Sequence, residues 1–226
     1  MKQEIIELWK QVNRAGIDNL IAFLEISDFF TAPCSTQYHL AVPGGLAIHS
    51  MNVYKLLKHK VKIFNLNIPH ETIIICGLGH DLCKIEYYKI DEEPASAKQI
   101  DYLKNLAGPL LFLNYKRQGI TKAWASKLIE AHKNGGEIPD KENAYVVDDK
   151  FPFGHGEKSV SILQNYIQLT TSEKLAIRWH MVAFDAGIHF NYPSGYAFRE
   201  AAGREPLVTL LFTADFEASQ ILEAEK

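Results

Sequence analysis

The stretch ETIIICGLGHDLCKIE, residues 71–86, decides how the rest of the chain is interpreted. Its apolar residues recur at the three- and four-residue spacing of an amphipathic helix, so the stretch is predicted to be helical. The same spacing places Asp81 on the apolar face, beside Leu78 and Leu82. An isolated carboxylate is costly to bury. Asp81 is therefore expected to be hydrogen-bonded, neutralised or bound to a metal ion.

Three further predicted helices also place a histidine or an aspartate on their apolar faces, at His49, His180 and Asp215. Taken singly, a buried histidine is more often a satisfied core residue, and a buried aspartate near a helix end is often a cap. If the four faces meet in one core, these side chains converge on a group that they could share, and a divalent cation is such a group. His80, next to Asp81 near a helix end, can reach the same ion from another side.

The remaining chain is predicted to be mostly helical, with one exception. The segment AYVVDDKFPFGHG, residues 144–156, has the β-branched, aromatic and turn residues of a short β-hairpin. Thr170 and Glu173 have the spacing of a capping box. The predicted fold class is all-α with a small β-hairpin insertion. Helices are predicted over 2–15, 17–27, 46–60, 71–86, 98–118, 121–133, 157–169, 172–187 and 205–224.

Composition limits the function classes. The 226 residues fit a single domain over 1–226, and 47% hydrophobic with 23% charged residues is ordinary for a globular protein. A net charge of −3 gives no overall basic field for nucleic-acid or membrane binding. Three cysteines without a CxxC pair favour a reducing compartment. We therefore expect a cytoplasmic protein with no membrane span, and the sequence indicates no obligate protein partner.

Five motifs are spread along the chain: PGGLAIHS (43–50), GLGHDLCKIE (77–86), FPFGHGEKS (151–159), IRWHMVAFD (177–185) and LLFTADFEA (210–218). Together they resemble the HD superfamily of metal-dependent phosphohydrolases. The segment YHLAVPGGLAIHS (38–50) in particular resembles the start of the HD module of bacterial 3′–5′ exoribonucleases. The resemblance implies an HD-domain helical bundle and hydrolysis of a phosphoester.

The resemblance also implies roles for individual residues. The residues that match the four ligands common to the superfamily are His49, His80, Asp81 and Asp215. Those that match the two extra histidines of its two-metal members are His155 and His180. In such members the aspartate of the HD pair, here Asp81, bridges two divalent transition metal ions (Mn, Fe, Co, Ni or Zn). Lys84 matches a lysine that contacts phosphate, which makes it a candidate catalytic and substrate-binding residue together with Asp81.

Two features lie outside this ligand set. The spacing from Asp81 to His155 is longer than in compact modules, which predicts an insertion over about 90–150. Histidine ligands also need hydrogen-bond acceptors to fix their tautomers, and Asp185 and Glu157 are candidates for that task.

Further substrate-binding candidates are less specific. His39 matches a histidine near the start of related modules, so it either lines the site or is an ordinary loop histidine. Tyr196 and Arg199 lie in a predicted loop over 189–204. Arg199 could contact a phosphate and Tyr196 could stack on a base, or the loop could simply pack as a connection.

Three functions fit the sequence. The favoured one is metal-dependent cleavage of a small nucleotide or nucleic-acid phosphoester, because paired divalent cations generate hydroxide and clamp the reacting oxygens. An HD-fold diiron oxygenase would use the same ligands. A catalytically silent nucleotide-binding module is the third alternative.

Overall fold

The computed structural model describes residues 1–182 and 193–224. Within these residues the chain forms ten α-helices and one small antiparallel pair of strands, which confirms the all-α prediction with a small β insertion. The strands are β1 (Tyr88–Ile90) and β2 (Tyr145–Val147). The helices are α1 (Lys2–Trp9), α2 (Ile17–Ile26), α3 (Gly45–Ile63), α4 (His70–Gly79), α5 (Ala97–Gln118), α6 (Lys122–Asn134), α7 (His155–Gln164), α8 (Thr171–Arg178), α9 (Pro193–Arg204) and α10 (Pro206–Glu217).

The main core forms where α3 packs on α4 and α10 packs on both α3 and α8. Large apolar side chains fill it, among them Trp9, Leu57 and Leu78, which are fully buried. At the crossing of α3 and α4, a Cβ added to Gly77 would lie 2.6 Å from Cα of Tyr54. Only a residue without a side chain fits there, so Gly77 brings the two helices together at the level of the HD pair.

A second, smaller core lies within residues 91–144, inside the stretch predicted as an insertion. Its helices α5 and α6 pack on each other, and α5 is kinked where Gly108 precedes Pro109. Asp91 ties the start of this segment to α6, since its Oδ2 accepts a hydrogen bond from the backbone N–H of Ala123 at 2.6 Å. The buried apolar residues of this core are Leu103, Tyr115, Ile120, Trp124, Ala125, Leu128 and Ala144.

No helix in the described ranges is both long and apolar enough to cross a bilayer.

Several predicted helices end earlier than the sequence suggests; those predicted over 2–15 and 157–169 stop at Trp9 and Gln164. Two others bear on the candidate site. The predicted helix 71–86 stops at Gly79, and the chain then turns through a short 3₁₀ segment, Leu82–Lys84. The predicted helix 172–187 stops at Arg178, although its capping box at Thr170 is confirmed. Both helices end just before a histidine of the candidate site, and the cause is described below.

The segment 144–156 does not form a hairpin on its own. Its strand β2 pairs with β1 from much earlier in the chain, in the register Ile90 opposite Tyr145. After β2 the backbone N–H of Phe151 donates to Oδ1 of Asp149 at 3.0 Å, and such an aspartate turn prevents a second strand. Helix α7 then begins at His155, two residues before the predicted start.

Candidate metal centre

Three histidines and two aspartates meet where α3, α4, α8 and α10 converge. His49 lies in α3, His80 and Asp81 follow α4, His180 follows α8, and Asp215 lies in α10. Nε2 of His49 is 3.2 Å from Nε2 of His80 and 3.0 Å from Oδ1 of Asp215. Nε2 of His180 is 3.3 Å from Oδ1 of Asp81. The convergence predicted from the apolar faces is therefore present.

His80 and His180 are held by the same kind of hydrogen bond, from the ring to a backbone carbonyl three residues earlier. The Nδ1 atom of His80 bonds to the carbonyl oxygen of Gly77 at 3.0 Å, and Nδ1 of His180 bonds to that of Ile177 at 2.6 Å. Each ring thus caps a carbonyl at the end of the helix before it, which ends the helix and fixes the ring. With Nδ1 occupied as a donor, Nε2 of each ring faces the cluster as the free ligand atom.

His49 is oriented by a carboxylate that the sequence analysis missed. Its Nδ1 lies 2.9 Å from Oε2 of Glu223, and Glu223 also accepts a hydrogen bond from Asn52 at 2.9 Å. The only sequence signal for Glu223 is an acidic residue about two helical turns beyond Asp215. The proposed acceptors were different: Asp185 lies outside the described residues, and Glu157 pairs with Arg178 instead.

The donor set fits a metal ion. Nε2 of His180 is buried and makes no well-aligned hydrogen bond among the described residues, despite its short distance to Asp81. Two overlapping triplets of ligand atoms lie within 4.8 Å of one another. Imidazole and carboxylate together suit divalent transition metals. The buried cluster can therefore hold a metal ion. The triplets are His49–His80–Asp81 and His80–His180–Asp215.

Charge in the metal-free cluster is distributed unevenly. Burial alone would raise the pKa of Asp81, but Lys84 and the imidazoles outweigh it and lower this pKa well below its usual range. Burial would also raise the pKa of Asp215, yet the hydrogen bond with His49 lowers it to about 2. Burial lowers the pKa of His80 to about 4. Both carboxylates are therefore anionic at neutral pH and His80 is neutral, as metal ligands must be.

Two imidazoles of the cluster have a raised pKa. Burial would lower the pKa of His180, but the Asp81 carboxylate outweighs it and raises this pKa. The pKa of His49 is raised as well. Burial would lower its pKa, but the neighbouring anionic groups, including the carboxylates of Asp215 and Glu223, raise it well above the usual value. A cation bound at Nε2 of His49 would take the place of this proton.

Lys84 is buried against the HD pair. Its Nζ lies 2.7 Å from Oδ2 of Asp81 and 3.4 Å from Sγ of Cys34. Burial would lower the pKa of Lys84, but the charge of Asp81 outweighs it and raises this pKa. The ammonium group therefore compensates the Asp81 carboxylate, and direct contact of Lys84 with a phosphate stays a prediction.

His155 stands one side chain away from the cluster. Its Nδ1 lies 3.3 Å from Sγ of Cys83, and that sulfur lies 3.8 Å from Oδ1 of Asp81. His155 belongs to neither of the triplets above. Burial lowers its pKa, so the ring is neutral. The role of His155 as a ligand to a second ion stays a prediction.

His39 lies at the edge of the cluster. Its ring centroid is 5.2 Å from that of His49, and its Nε2 is 3.4 Å from Sγ of Cys34. Its side chain is 19% exposed. Contact of His39 with a substrate stays a prediction.

The other two substrate-binding candidates lie on a helix and not in a loop. The predicted loop 189–204 contains α9, and its residues before α9 lie outside the described part of the chain. Tyr196 and Arg199 are exposed, while Phe198 on the same helix packs against Trp179 with 6.0 Å between ring centroids. Their contact with a substrate stays a prediction.

Comparison with known proteins adds no relative to this description. No protein-family model, curated protein or solved structure matches the chain significantly. The function is therefore argued from the side chains of the cluster and from their geometry.

Proposed function

We propose that this chain is a metal-dependent phosphohydrolase that cleaves a nucleotide or nucleic-acid phosphoester at the His49–His80–Asp81–His180–Asp215 cluster. One observation carries the proposal. All three imidazoles have Nδ1 bonded to an acceptor, and their Nε2 atoms lie beside the two buried carboxylates. A core that needed only to be filled would not require five such polar groups, because burying them is costly.

The five residues of the cluster and His155 would share the binding of two divalent ions. Following the HD resemblance, one ion would be held by His49, His80, Asp81 and Asp215, and a second by Asp81, His180 and His155. Mn, Fe, Co, Ni and Zn all accept imidazole and carboxylate ligands. When bound, such ions supply hydroxide at neutral pH and offset the charge of a phosphoryl group.

The protein's own groups position the site and its substrate. Lys84 holds the Asp81 carboxylate in one orientation through the 2.7 Å contact. Three partly exposed side chains at the edge of the cluster indicate where a phosphoester approaches: 13% of the Asp215 side chain and 19% of His39 are accessible, and His155 is also half-buried. The two neutral imidazoles can donate to phosphoryl oxygens, while a bound ion would offset the charge of the Asp215 carboxylate.

The test is phosphoester hydrolysis by the full chain, followed as release of phosphate from the mononucleotides and as release of the nucleotide or alcohol product from the diesters. The protein is stripped with chelator, reloaded with each of the five metals and assayed with nucleoside mono-, di- and triphosphates, cyclic nucleotides, short RNA and a chromogenic diester. We expect metal-dependent release that Asp81→Asn abolishes. Asp91→Asn is the matched control, since Asp91 is equally buried but belongs to the second core.

Three results would count against the proposal. These are no turnover with any metal and substrate, turnover that survives chelation, or full activity in Asp81→Asn. Oxygen consumption without phosphoester hydrolysis would favour the oxygenase alternative. Metal content, measured by elemental analysis on wild type, Asp81→Asn and His155→Ala, separates one ion from two. Two ions per chain with one lost in His155→Ala would support the second position.

A further inference from the structure

A short loop before α3 places a thiol beside the centre described above. The backbone N–H of Cys34 donates to the carbonyl of Leu40 at 3.0 Å, and Oγ of Ser35 donates to the carbonyl of His39 at 2.9 Å. The loop also sits directly on the start of α3, because a Cβ on Gly45 would lie 2.1 Å from the Leu40 carbonyl oxygen. These contacts fix the positions of Cys34 and His39.

The loop forms a third set of potential ligands. Atoms of Cys34, His39 and His49 lie within 4.8 Å of one another. The sulfur is fully buried, and Sγ of Cys34 lies 3.4 Å from Nε2 of His39. A carboxylate is close as well, since Oε2 of Glu223 is 3.9 Å from Nε2 of His39. This set differs from the proposed hydrolytic ligands by its sulfur and shares only His49 with them.

The distances suit one metal in particular. Tetrahedral zinc binds thiolate at about 2.3 Å and imidazole at about 2.0–2.1 Å, which separates a sulfur from a nitrogen ligand by about 3.5 Å. The observed separation of Cys34 and His39 is 3.4 Å. Thiolate ligands select zinc over the harder ions that carboxylates and water accept. Burial raises the pKa of the Cys34 thiol, and His49 and Lys84, whose Nζ lies 3.4 Å from the sulfur, offset only part of this effect, so the bound ion itself must favour the thiolate.

We propose that Cys34, His39 and His49 form a second metal-binding site, which takes Zn²⁺ and competes for His49 with the His80–Asp81 centre. On binding, the Cys34 thiol gives its proton to solvent and the thiolate bonds to the ion. Because one imidazole belongs to both ligand sets, zinc at this site withdraws a ligand from the neighbouring centre. The site is independent of hydrolysis, so it can be tested on metal binding alone.

The first experiment is titration of the metal-free full chain with Co²⁺, which replaces zinc as a spectroscopic probe. A thiolate ligand gives a sulfur-to-cobalt charge-transfer band in the near ultraviolet. We expect this band in the wild type and its loss in Cys34→Ala. In His39→Ala we expect the band to appear with an apparent affinity for Co²⁺ about tenfold weaker than in the wild type. Cys76→Ala is the matched control, since Cys76 is another fully buried thiol, within the apolar core.

The second thiol of the region provides the decisive comparison. Cys83 lies near Asp81 and His155, so a band that disappears in Cys83→Ala and persists in Cys34→Ala would overturn the proposal. The complete lack of a sulfur band in the wild type would overturn it as well. X-ray absorption at the zinc edge gives an independent measurement, with a sulfur scatterer expected at about 2.3 Å.

Two further variants separate this proposal from the others. Asp81→Asn removes the carboxylate of the hydrolytic centre and is expected to keep the cobalt band, so loss of hydrolysis and loss of this site are distinguishable. Cys34→Ser keeps the size of the side chain. If Cys34→Ala fails to fold by circular dichroism, Cys34→Ser is titrated in its place, and an unchanged band in that variant contradicts the proposal.

Discussion

The carboxylate of Glu223 lies 2.9 Å from Nδ1 of His49, while the other ring nitrogen of His49 lies 3.0 Å from Asp215. A carboxylate on the far nitrogen fixes the tautomer of a ligand histidine and makes it more basic. The orientation of His49 therefore depends on a residue near the end of the chain.

Glu223→Gln is expected to weaken metal binding by about 10–100-fold, the usual effect of losing such an outer carboxylate. Competition with a metal indicator measures the change. Glu217→Gln is the control, since Glu217 lies close in sequence but pairs with Lys60 away from the cluster. Equal metal affinity in wild type and Glu223→Gln would refute this role.

Metal affinity is expected to rise with pH. The pKa of His49 in the metal-free protein is well above the usual value, so a metal must displace its proton. Affinity then increases by about tenfold per pH unit for one released proton, until the pH passes the pKa of His49. Calorimetry in two buffers of different ionisation enthalpy counts the protons. A pH-independent affinity would mean that His49 is already neutral.

Lys84→Met is expected to destabilise the metal-free protein more than the metal-loaded one. Without Lys84 the buried Asp81 lacks its closest cation, and losing one partner of a buried ion pair costs about 3–5 kcal/mol. A bound metal supplies the missing positive charge. Urea unfolding with Mn²⁺ and with chelator measures the difference. Lys158→Met is the control because Lys158 is also buried and pairs with Asp149, so metal should not change its effect.

Gly77→Ala is expected to cost about 1–3 kcal/mol of stability, because the new methyl group would overlap the backbone of Tyr54. Since Gly77 also supplies the carbonyl that holds His80, we expect weaker metal binding too. Denaturant unfolding and metal titration measure both effects. Gly203→Ala is the comparison, since a Cβ there meets nothing within 4 Å. Similar losses in both variants would argue against a special role for the helix crossing.

Glu173 is expected to make the fold sensitive to acid. Burial would raise its pKa, but hydrogen bonds from Arg14, Thr170 and Thr72 lower it. A lowered folded-state pKa gives stability that is complete above the ordinary glutamate pKa of about 4.3 and is lost as the pH falls through the folded value. Glu173→Gln is expected to cost about 3 kcal/mol at pH 7 and to flatten this dependence.

Chemical denaturation between pH 7 and pH 3 tests the role of Glu173. Glu93→Gln is the control, because Glu93 forms only an exposed pair with Lys122 and such pairs contribute little. A variant that keeps the full acid sensitivity of the wild type would assign that sensitivity to other carboxylates.

Helical periodicity predicted the convergence of His49 and Asp215, because each interrupts the apolar face of a helix and such faces pack against each other. Asp81 reaches the same core from the turn after α4, since that helix stops at Gly79. The capping box at Thr170 could also be predicted, because its spacing is local.

The missed features depend on contacts that no local pattern encodes. Helices α4 and α8 end where His80 and His180 bond to backbone carbonyls, so a side chain and not helix propensity sets the boundary. Strand β1 has three residues and pairs with a strand more than fifty positions later. Glu223 acquires its role only because the last turn of the chain folds back onto α3.

The pairing of Ile90 with Tyr145 closes off the segment between them from the rest of the chain. The segment between them leaves and re-enters the main body at neighbouring points and buries its own apolar residues. A tight turn could join β1 directly to β2 and would leave the five residues of the His49–His80–Asp81–His180–Asp215 cluster in place. The contacts described above for the five cluster residues all lie outside 91–144, so the helices of this segment are not needed to hold the histidines and aspartates.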